Sequence, residues 1–282
     1  MLQESRPFDA VLLDLDGTLL DENSAVSPRK REVLRELDSR GVLCMVATGR
    51  SLVSTLPVLE ELDLGSPALV FNGAGIYCPR EGRLIEEQTL SDRTLARTLD
   101  FAEQRDCMTV VMRSDGKFAT EPRDEFEQQG IQHLHGVRTV PRRDLAIEYA
   151  IRVTLFSREH PDSRVFHDEV HGAIGAPVYL THFPLDHLPN HRDSPLLVVD
   201  VQPPCQGKAE AFRFLQDHHG ISAERVIAFG DASNDIPMFR VAGRSVAMED
   251  GMPEALECAD VIIGDNDGDS LAEYLVDVFS LR

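Results

Sequence analysis

Residues 8–15 are apolar except for Asp9 and Asp14, and the run stops at Asp16-Gly17-Thr18. That is the pattern of a short strand buried on both faces. Ser27-Pro28 supplies an N-cap and a proline for the first helical position, and Gly41 supplies a stop, so a helix is predicted between them. A second buried strand is predicted over residues 42–47, ended by Thr48-Gly49-Arg50. Ser51 then caps a helix reaching about Leu62, and a third strand covers residues 68–71, ended by Asn72-Gly73. Strand, crossover helix and strand in succession predict a parallel sheet with helices on both faces.

Between about residues 79 and 200 the rhythm changes. A hairpin is predicted at 75–78 and 83–87, then a helix capped by Ser91 and strands near 109–113, 146–157 and 178–181. From Leu196 the α/β alternation returns, with helices at 208–218, 235–241 and 253–258. Strands at 226–229, 245–248 and 261–263 lie between and after them, and a last helix starts near Asp269. The fold class is therefore α/β. The prediction is a Rossmann-like core with a parallel sheet, residues 1–79 and 200–282, interrupted by an inserted α+β domain, residues 80–199.

Composition narrows the function. The chain has 282 residues, 42% of them apolar and 27% charged, as expected of a globular protein of one or two domains. No run approaches the ~18 apolar residues of a membrane span, and residues 1–7 hold no apolar signal segment. A formal net charge of −20 repels phosphate backbones and anionic lipids, so neither nucleic acid nor membrane is expected as a partner. The five cysteines (44, 78, 107, 205, 258) form no CxxC pair and read as reduced thiols of a cytoplasmic protein. Only Lys30, Lys117 and Lys208 are lysines, against 25 arginines, which makes a lysine at a chemically plausible position informative. Oligomeric state leaves no mark on the sequence.

Ligands of open parallel sheets bind at the carboxyl ends of the strands. Here those ends carry Asp14-Leu-Asp16-Gly-Thr18, Thr48-Gly49-Arg50 and Gly230-Asp231-Ala-Ser-Asn234-Asp235, with Lys208 opening the helix before the last. Clustered carboxylates need a cation, and an all-oxygen set suits a hard divalent ion such as Mg²⁺. The metal, a lysine and a threonine hydroxyl together suit a phosphate. A phosphomonoester brings close to two negative charges, and two ionised carboxylates bring two more. Unit charges about 4 Å apart interact by roughly 4 kcal/mol at an effective dielectric near 20, so the cation decides whether the ester can bind. Asp14 could attack phosphorus, while Asp16 could protonate the leaving oxygen and later activate water.

These four pieces, in this order, resemble the motifs of the haloacid dehalogenase superfamily of phosphatases. Gly230-Asp-Ala-Ser-Asn-Asp-Ile-Pro-Met238-Phe, Phe71-Asn72-Gly73-Ala74 and Val246-Ala247-Met248 resemble its Cof-type branch, whose large α/β cap matches the insertion in place and size. The resemblance implies Asp14 as nucleophile and metal ligand, and Asp16 as acid/base with its carbonyl on the metal. Asp231 and Asp235 would be further ligands of Mg²⁺. Thr48, Gly49, Lys208 and Asn234 would bind phosphate, and Arg50 and Asn72 would touch substrate or cap. It also implies an aspartyl-phosphate route to hydrolysis of a small phosphomonoester, a sugar phosphate or phosphorylated cofactor, under a closing cap.

Two departures stand out: Glu249-Asp250-Gly251 where the branch usually has Gly-Asn-Ala, and Ala209 where Gly often follows the lysine. Two rival functions are a phosphomannomutase-like phosphomutase and a non-catalytic binder of phosphate ligands. Gly207-Lys208 lacks the rest of a P-loop. Asp265-Asn-Asp-Gly-Asp269 has the composition of a calcium loop, but its glycine falls fourth, not sixth, and its twelfth position is Val276. His133, His135, His182, His187 and His191 read as solvated or partly packed, and Phe212 and Phe214 as core.

Overall fold

The computed structural model describes residues 6–132, 134, 136–187 and 191–281. His133, His135 and most of the segment before Pro7 therefore lie outside the described residues. In chain order the elements begin with β1 (Ala10–Leu13), α1 (Pro28–Ser39), β2 (Leu43–Ala47), α2 (Leu52–Leu62), β3 (Ala68–Val70), β4 (Gly75–Cys78) and β5 (Arg83–Glu87). Next come α3 (Asp92–Gln104), β6 (Met108–Arg113), β7 (Gly116–Ala119), α4 (Glu125–Gln132), β8 (Val137–Thr139), β9 (Arg152–Ser157), α5 (Ser163–Ile174), β10 (Tyr179–Pro184) and β11 (Leu197–Gln202). The chain ends through α6 (Glu210–His219), β12 (Val226–Gly230), α7 (Ile236–Phe239), β13 (Arg244–Met248), α8 (Pro253–Cys258), β14 (Val261–Ile263) and α9 (Ser270–Phe279).

Two compact units result. One takes in Met1–Arg50, Thr55–Glu86 and Gln206–Arg282, the other Ser51–Ser54 and Glu87–Cys205. The first holds a sheet ordered β14-β13-β12-β1-β2-β3-β4-β5, parallel from β14 to β3, with β4 antiparallel on β3. Alternate residues of β1 enter opposite cores. Val11 and Leu13 pack with Leu34 and Leu37 of α1 and Leu271 and Leu275 of α9, while Ala10 and Leu12 pack with Phe212, Phe214 and Leu215 of α6. Burial on both faces explains why the strand reads as one apolar run. Each fully buried leucine contributes about 1.5–3 kcal/mol. Ser27 caps α1 by accepting from the Lys30 amide, with Pro28 at the first turn.

The second unit holds a sheet ordered β10-β11-β9-β6-β7-β8, antiparallel except for β7 and β8. Residues of α3 and α5, among them Leu95, Phe101, Phe166 and Val170, form a core with Val111, Val153 and Val199 of the sheet. The units' limits differ from 79 and 200 for a physical reason. β4 and β5 extend the first sheet beyond β3, whereas β11 pairs with β9 and β10. The strand expected from 146 begins only at Arg152. The preceding Leu145, Ala150 and Ile151 are apolar because they are buried, with the chain turning through Tyr149 at φ 60°. Among the described residues, no helix is long and apolar enough to cross a membrane.

Candidate active site

The central strand delivers the first carboxylate. Leu13 lies opposite Phe229 of β12 and Val46 of β2, so the ends of these three strands fall at one level. Just past β1, Asp14 donates its amide to the Phe229 carbonyl at 3.0 Å, and its side chain is buried. The chain then makes a wide turn over Leu15–Leu19, closed by the Leu19 amide on the Asp14 carbonyl (3.3 Å) and the Leu20 amide on that of Leu15 (2.9 Å). Gly17 permits the turn. Its φ is +76°, and a Cβ there would lie 2.4 Å from Asp231 Oδ2.

On the neighbouring strand, β12 ends at Gly230, where a Cβ would meet Asp235 Cγ at 2.4 Å. Asp235 is fully buried. Its Oδ2 accepts the amides of Asp231 and Ala232, both at 2.9 Å, and its Oδ1 accepts Lys208 Nζ at 2.6 Å. Lys208 stands in the short turn before α6 and is also fully buried; the same Nζ donates to Asp14 Oδ1 at 2.5 Å. Thr18 Oγ1 donates to Asp231 Oδ1 at 2.9 Å. Asp14, Asp231 and Asp235 each offer a carboxylate oxygen, all within 4.8 Å of one another.

Three clustered carboxylates thus face one ammonium, which bonds two of them, in a largely buried site. Burial raises the Asp14 carboxyl well above the ordinary carboxylate range, countered by Lys208 and reinforced by Asp235, Asp231 and Asp16. Burial likewise pushes Asp231 up to about 7, with Asp235 adding to the rise and Lys208 and the Thr18 hydroxyl opposing it. Burial works against the charge of Lys208, but Asp14 and Asp235 together hold its pKa above the usual value. The cluster has more negative charge than its lysine neutralises, and its donors are all oxygen, the chemistry that suits a hard divalent cation.

β2 contributes the third piece. Thr48 is fully buried at its end, and Thr48 Oγ1 accepts the Arg50 amide at 3.0 Å. Arg50 forks onto Asp16, Nε donating to Oδ2 at 2.8 Å and a terminal nitrogen to Oδ1 at 2.5 Å. Burial disfavours the Arg50 charge, yet Asp16 holds its pKa above the ordinary value. Phe71 and Asn72, both at positive φ (53° and 50°), bend the chain after β3. A non-glycine pair held there is strained, and it brings Asn72 Oδ1 to 3.1 Å from the Asn234 amide nitrogen. Gly49 lies beside both, a Cβ at this position being 3.0 Å from Asn72 Oδ1 and 3.4 Å from Asn234 Nδ2.

The sequence profile of the haloacid dehalogenase-like hydrolases matches residues 11–275. The chain belongs to that family. It is 26% identical to 5-amino-6-(5-phospho-D-ribitylamino)uracil phosphatase YitU of Bacillus subtilis, over 99% of this chain and 100% of the relative. It is 23% identical to pyridoxal phosphate phosphatase YbhA of Escherichia coli, over 94% of this chain and 96% of the relative. The fold is shared with a crystallised haloacid dehalogenase-like hydrolase from Bacteroides thetaiotaomicron, with a TM-score of 0.80 at 22% identity, covering 96% of this chain and 100% of that one.

In this haloacid dehalogenase-like chain, Asp14, Lys208, Asp231 and Asp235 form one bonded cluster. Asn72 and Asn234 form a second group beside Gly49, and Asp16 stands apart from the carboxylate cluster, exposed and paired with Arg50. Two contributions escaped the sequence reading. Thr18 fixes the orientation of Asp231, and the only hint is a hydroxyl directly after the turn glycine. The Arg50–Asp16 fork joins residues 34 positions apart, and neither residue type alone announces it. Glu249 and Asp250 are exposed, in a turn tied to the site through the Met252 amide on the Asp231 carbonyl at 2.6 Å.

Proposed function

We propose that this protein is a Mg²⁺-dependent phosphatase of a small phosphomonoester, a sugar phosphate or phosphorylated cofactor, working through an aspartyl-phosphate on Asp14. The observation that carries the proposal is the buried Lys208 ammonium bonded to both Asp14 and Asp235, with Asp231 beside them. The relatives' named substrates, a phosphorylated ribityl compound and pyridoxal phosphate, support a small monoester.

Asp14, Asp231 and Asp235, with the Asp16 carbonyl, would hold the metal, which when bound offsets the charge of carboxylates and phosphate. Lys208 holds Asp14 Oδ1 at 2.5 Å, fixing the carboxylate and presenting a positive charge to the phosphoryl oxygens. Thr48, Gly49 and Asn234 would complete the phosphate cradle, with Arg50 and Asn72 at the substrate side. In the first step Asp14 forms a bond to phosphorus as the ester P–O bond breaks, and Asp16 gives its proton to the leaving oxygen. In the second, water attacks phosphorus, Asp16 takes the water's proton, and the Asp14–phosphorus bond breaks, releasing phosphate. Arg50, bonded to both oxygens of Asp16, would orient the ionised carboxylate that takes the water's proton, and one of its two bonds would open when Asp16 carries the proton. We assign choice of the leaving group to the inserted unit, and a reducing cytoplasm to the chain on its five free thiols.

The test is phosphate release from a panel of small phosphomonoesters with Mg²⁺ and with EDTA, alongside Asp14→Asn. Release that needs Mg²⁺ and vanishes in the variant supports the reading. Release that persists in purified Asp14→Asn contradicts the nucleophile, and no release from any member directs the search to mutase turnover.

A further inference from the structure

The turn with a calcium-like composition, Asp265–Asp269, already contains a cation belonging to the chain. Lys30, third residue of α1, is 1% exposed. Its Nζ donates to the Asn266 carbonyl at 2.5 Å and to the Leu19 carbonyl at 3.3 Å. Burial lowers its pKa, and the charges pulling the other way are Asp269, Asp21, Asp267 and Asp265. Around this ammonium the segment after the Asp14 turn is sewn to the 265–269 turn. Asn266 Nδ2 donates to the Leu20 carbonyl at 2.6 Å, the Glu22 amide to Asp267 Oδ1 at 2.9 Å, and Ser27 Oγ to Asp269 Oδ1 at 2.6 Å.

Leu19 is the joint. Its amide closes the wide turn on the Asp14 carbonyl, and its own carbonyl is held by Lys30. We propose that Lys30 is a positioning residue: its ammonium is the fixed internal cation of the Asp265–Asp269 turn and, through the Leu19 carbonyl, locks the turn that aims Asp14 and Asp16. The catalytic half of this statement rests on the phosphatase reading above; the mechanical half does not. A bound metal ion is unnecessary in the turn because the ammonium supplies the positive charge there. An ammonium also suits the place, since it offers three donors from a compact centre to two carbonyls on different loops.

The experiment combines amide hydrogen exchange, melting and steady-state kinetics on p-nitrophenyl phosphate for Lys30→Met and Asp269→Asn. Methionine keeps the length of the side chain and removes the charge. The expected result for Lys30→Met is exchange accelerated about tenfold or more in segments 14–21 and 264–269, with β12 and β13 at wild-type rates. Alongside it, kcat falls about tenfold while KM stays within about twofold, as displacement of a catalytic group requires. Asp269→Asn, a change at an exposed residue, should move the same two segments and kcat in the same direction by about threefold. A purely structural lysine would lower the melting temperature and raise exchange throughout the first unit, without a selective change at 14–21. A folded Lys30→Met with wild-type exchange at 14–21 or wild-type kcat overturns the proposal. If that variant does not fold, wild-type exchange and kcat in Asp269→Asn overturn it instead. Should the wild-type protein release no phosphate, the phosphatase reading fails, and the exchange arm still decides whether Lys30 locks the turn.

Discussion

Removing divalent cations should make the stability of this protein depend on pH in a direction opposite to that of an ordinary salt-bridged carboxylate. The unfolded Asp231 carboxyl titrates near 3.8, whereas in the folded chain burial holds it to about 7. Between those values the folded state binds the extra proton, so stability falls as pH rises through the window and levels off above it. At about 1.4 kcal/mol per pH unit, the interval corresponds to about 4 kcal/mol, and Asp14 shifts in the same sense. A divalent cation held by the cluster reverses the preference by favouring the ionised carboxylates, so its stabilisation should grow over the same range. The assay is thermal unfolding at pH 5 and pH 8, each with excess Mg²⁺ and with EDTA. Between pH 5 and pH 8 only the part of the window above pH 5 is crossed, about 3 kcal/mol. The Mg²⁺-minus-EDTA difference should therefore widen by roughly 5 °C or more, taking about 2 °C or more per kcal/mol for a chain of this size. Comparing differences cancels the carboxylates outside the site, such as Asp9 and Glu169, whose partners lower their pKa. A difference that is constant or shrinks with pH would refute the electrostatic account of the site. Asp231→Asn should flatten the dependence.

Three further outcomes are expected. Lys208→Ala leaves Asp14 and Asp235 buried without their shared ammonium, so unfolding should show a loss of about 3–5 kcal/mol. Its kcat should fall about 10²–10³-fold, whereas Asp14→Asn abolishes turnover. Gly17→Ala puts a Cβ 2.4 Å from Asp231 Oδ2 at a φ of +76°; denaturant unfolding should show a loss of about 1–3 kcal/mol, and activity should drop with it. Arg50→Lys replaces the two-pronged grip on an exposed Asp16 by a single contact. It should change stability by under about 1 kcal/mol, yet lower kcat about tenfold, since a displaced acid/base is penalised more heavily than a lost surface pair.

The first unit was legible because its inner strands, β1, β2, β3, β12 and β13, are buried on both faces and are followed by turns with a mechanical task. Gly17, in the turn after β1, and Gly230, at the end of β12, lie where a side chain would collide with an aspartate of the site. The second unit was less so. α5 carries its signals plainly, with Asp162 accepting the Val165 amide, Gly175 in the left-handed region, and Phe166, Val170 and Ile174 buried four residues apart. Its polar positions, among them His167 and His171, masked that stripe within a region already read as strand-rich. β7 and β8 are short and bear Lys117 and Arg138, so no apolar run marks them, and only pairing, of β7 to β6 and of β8 to β7, makes them strands. The candidate site was readable as a set of residues but not as a set of bonds. Spacing along the chain can place Asp14, Lys208 and Asp235 at one sheet edge, yet it cannot say that one ammonium spans two carboxylates or that Asp16 is tied to Arg50.

The scarcity of lysine acquires a physical meaning once the side chains are placed. Arginine is the basic partner in most of the described ion pairs at the surface, while Lys30, Lys117 and Lys208 are each 2% exposed or less. Whatever drives the preference for arginine elsewhere, a guanidinium is a plane of five donors that needs room around its edge. Lys208 Nζ sits 2.5 and 2.6 Å from carboxylates on the segments that follow two adjacent strands, and Lys30 Nζ lies between carbonyls of two loops. Lys117 Nζ donates to Ser54 Oγ at 2.7 Å within the second unit. At Lys208 and Lys30 the compact ammonium reaches oxygens on two segments at once, a contact that suits a point-like charge better than a planar fork. At those two positions the geometry of the contact, and not charge alone, therefore favours lysine.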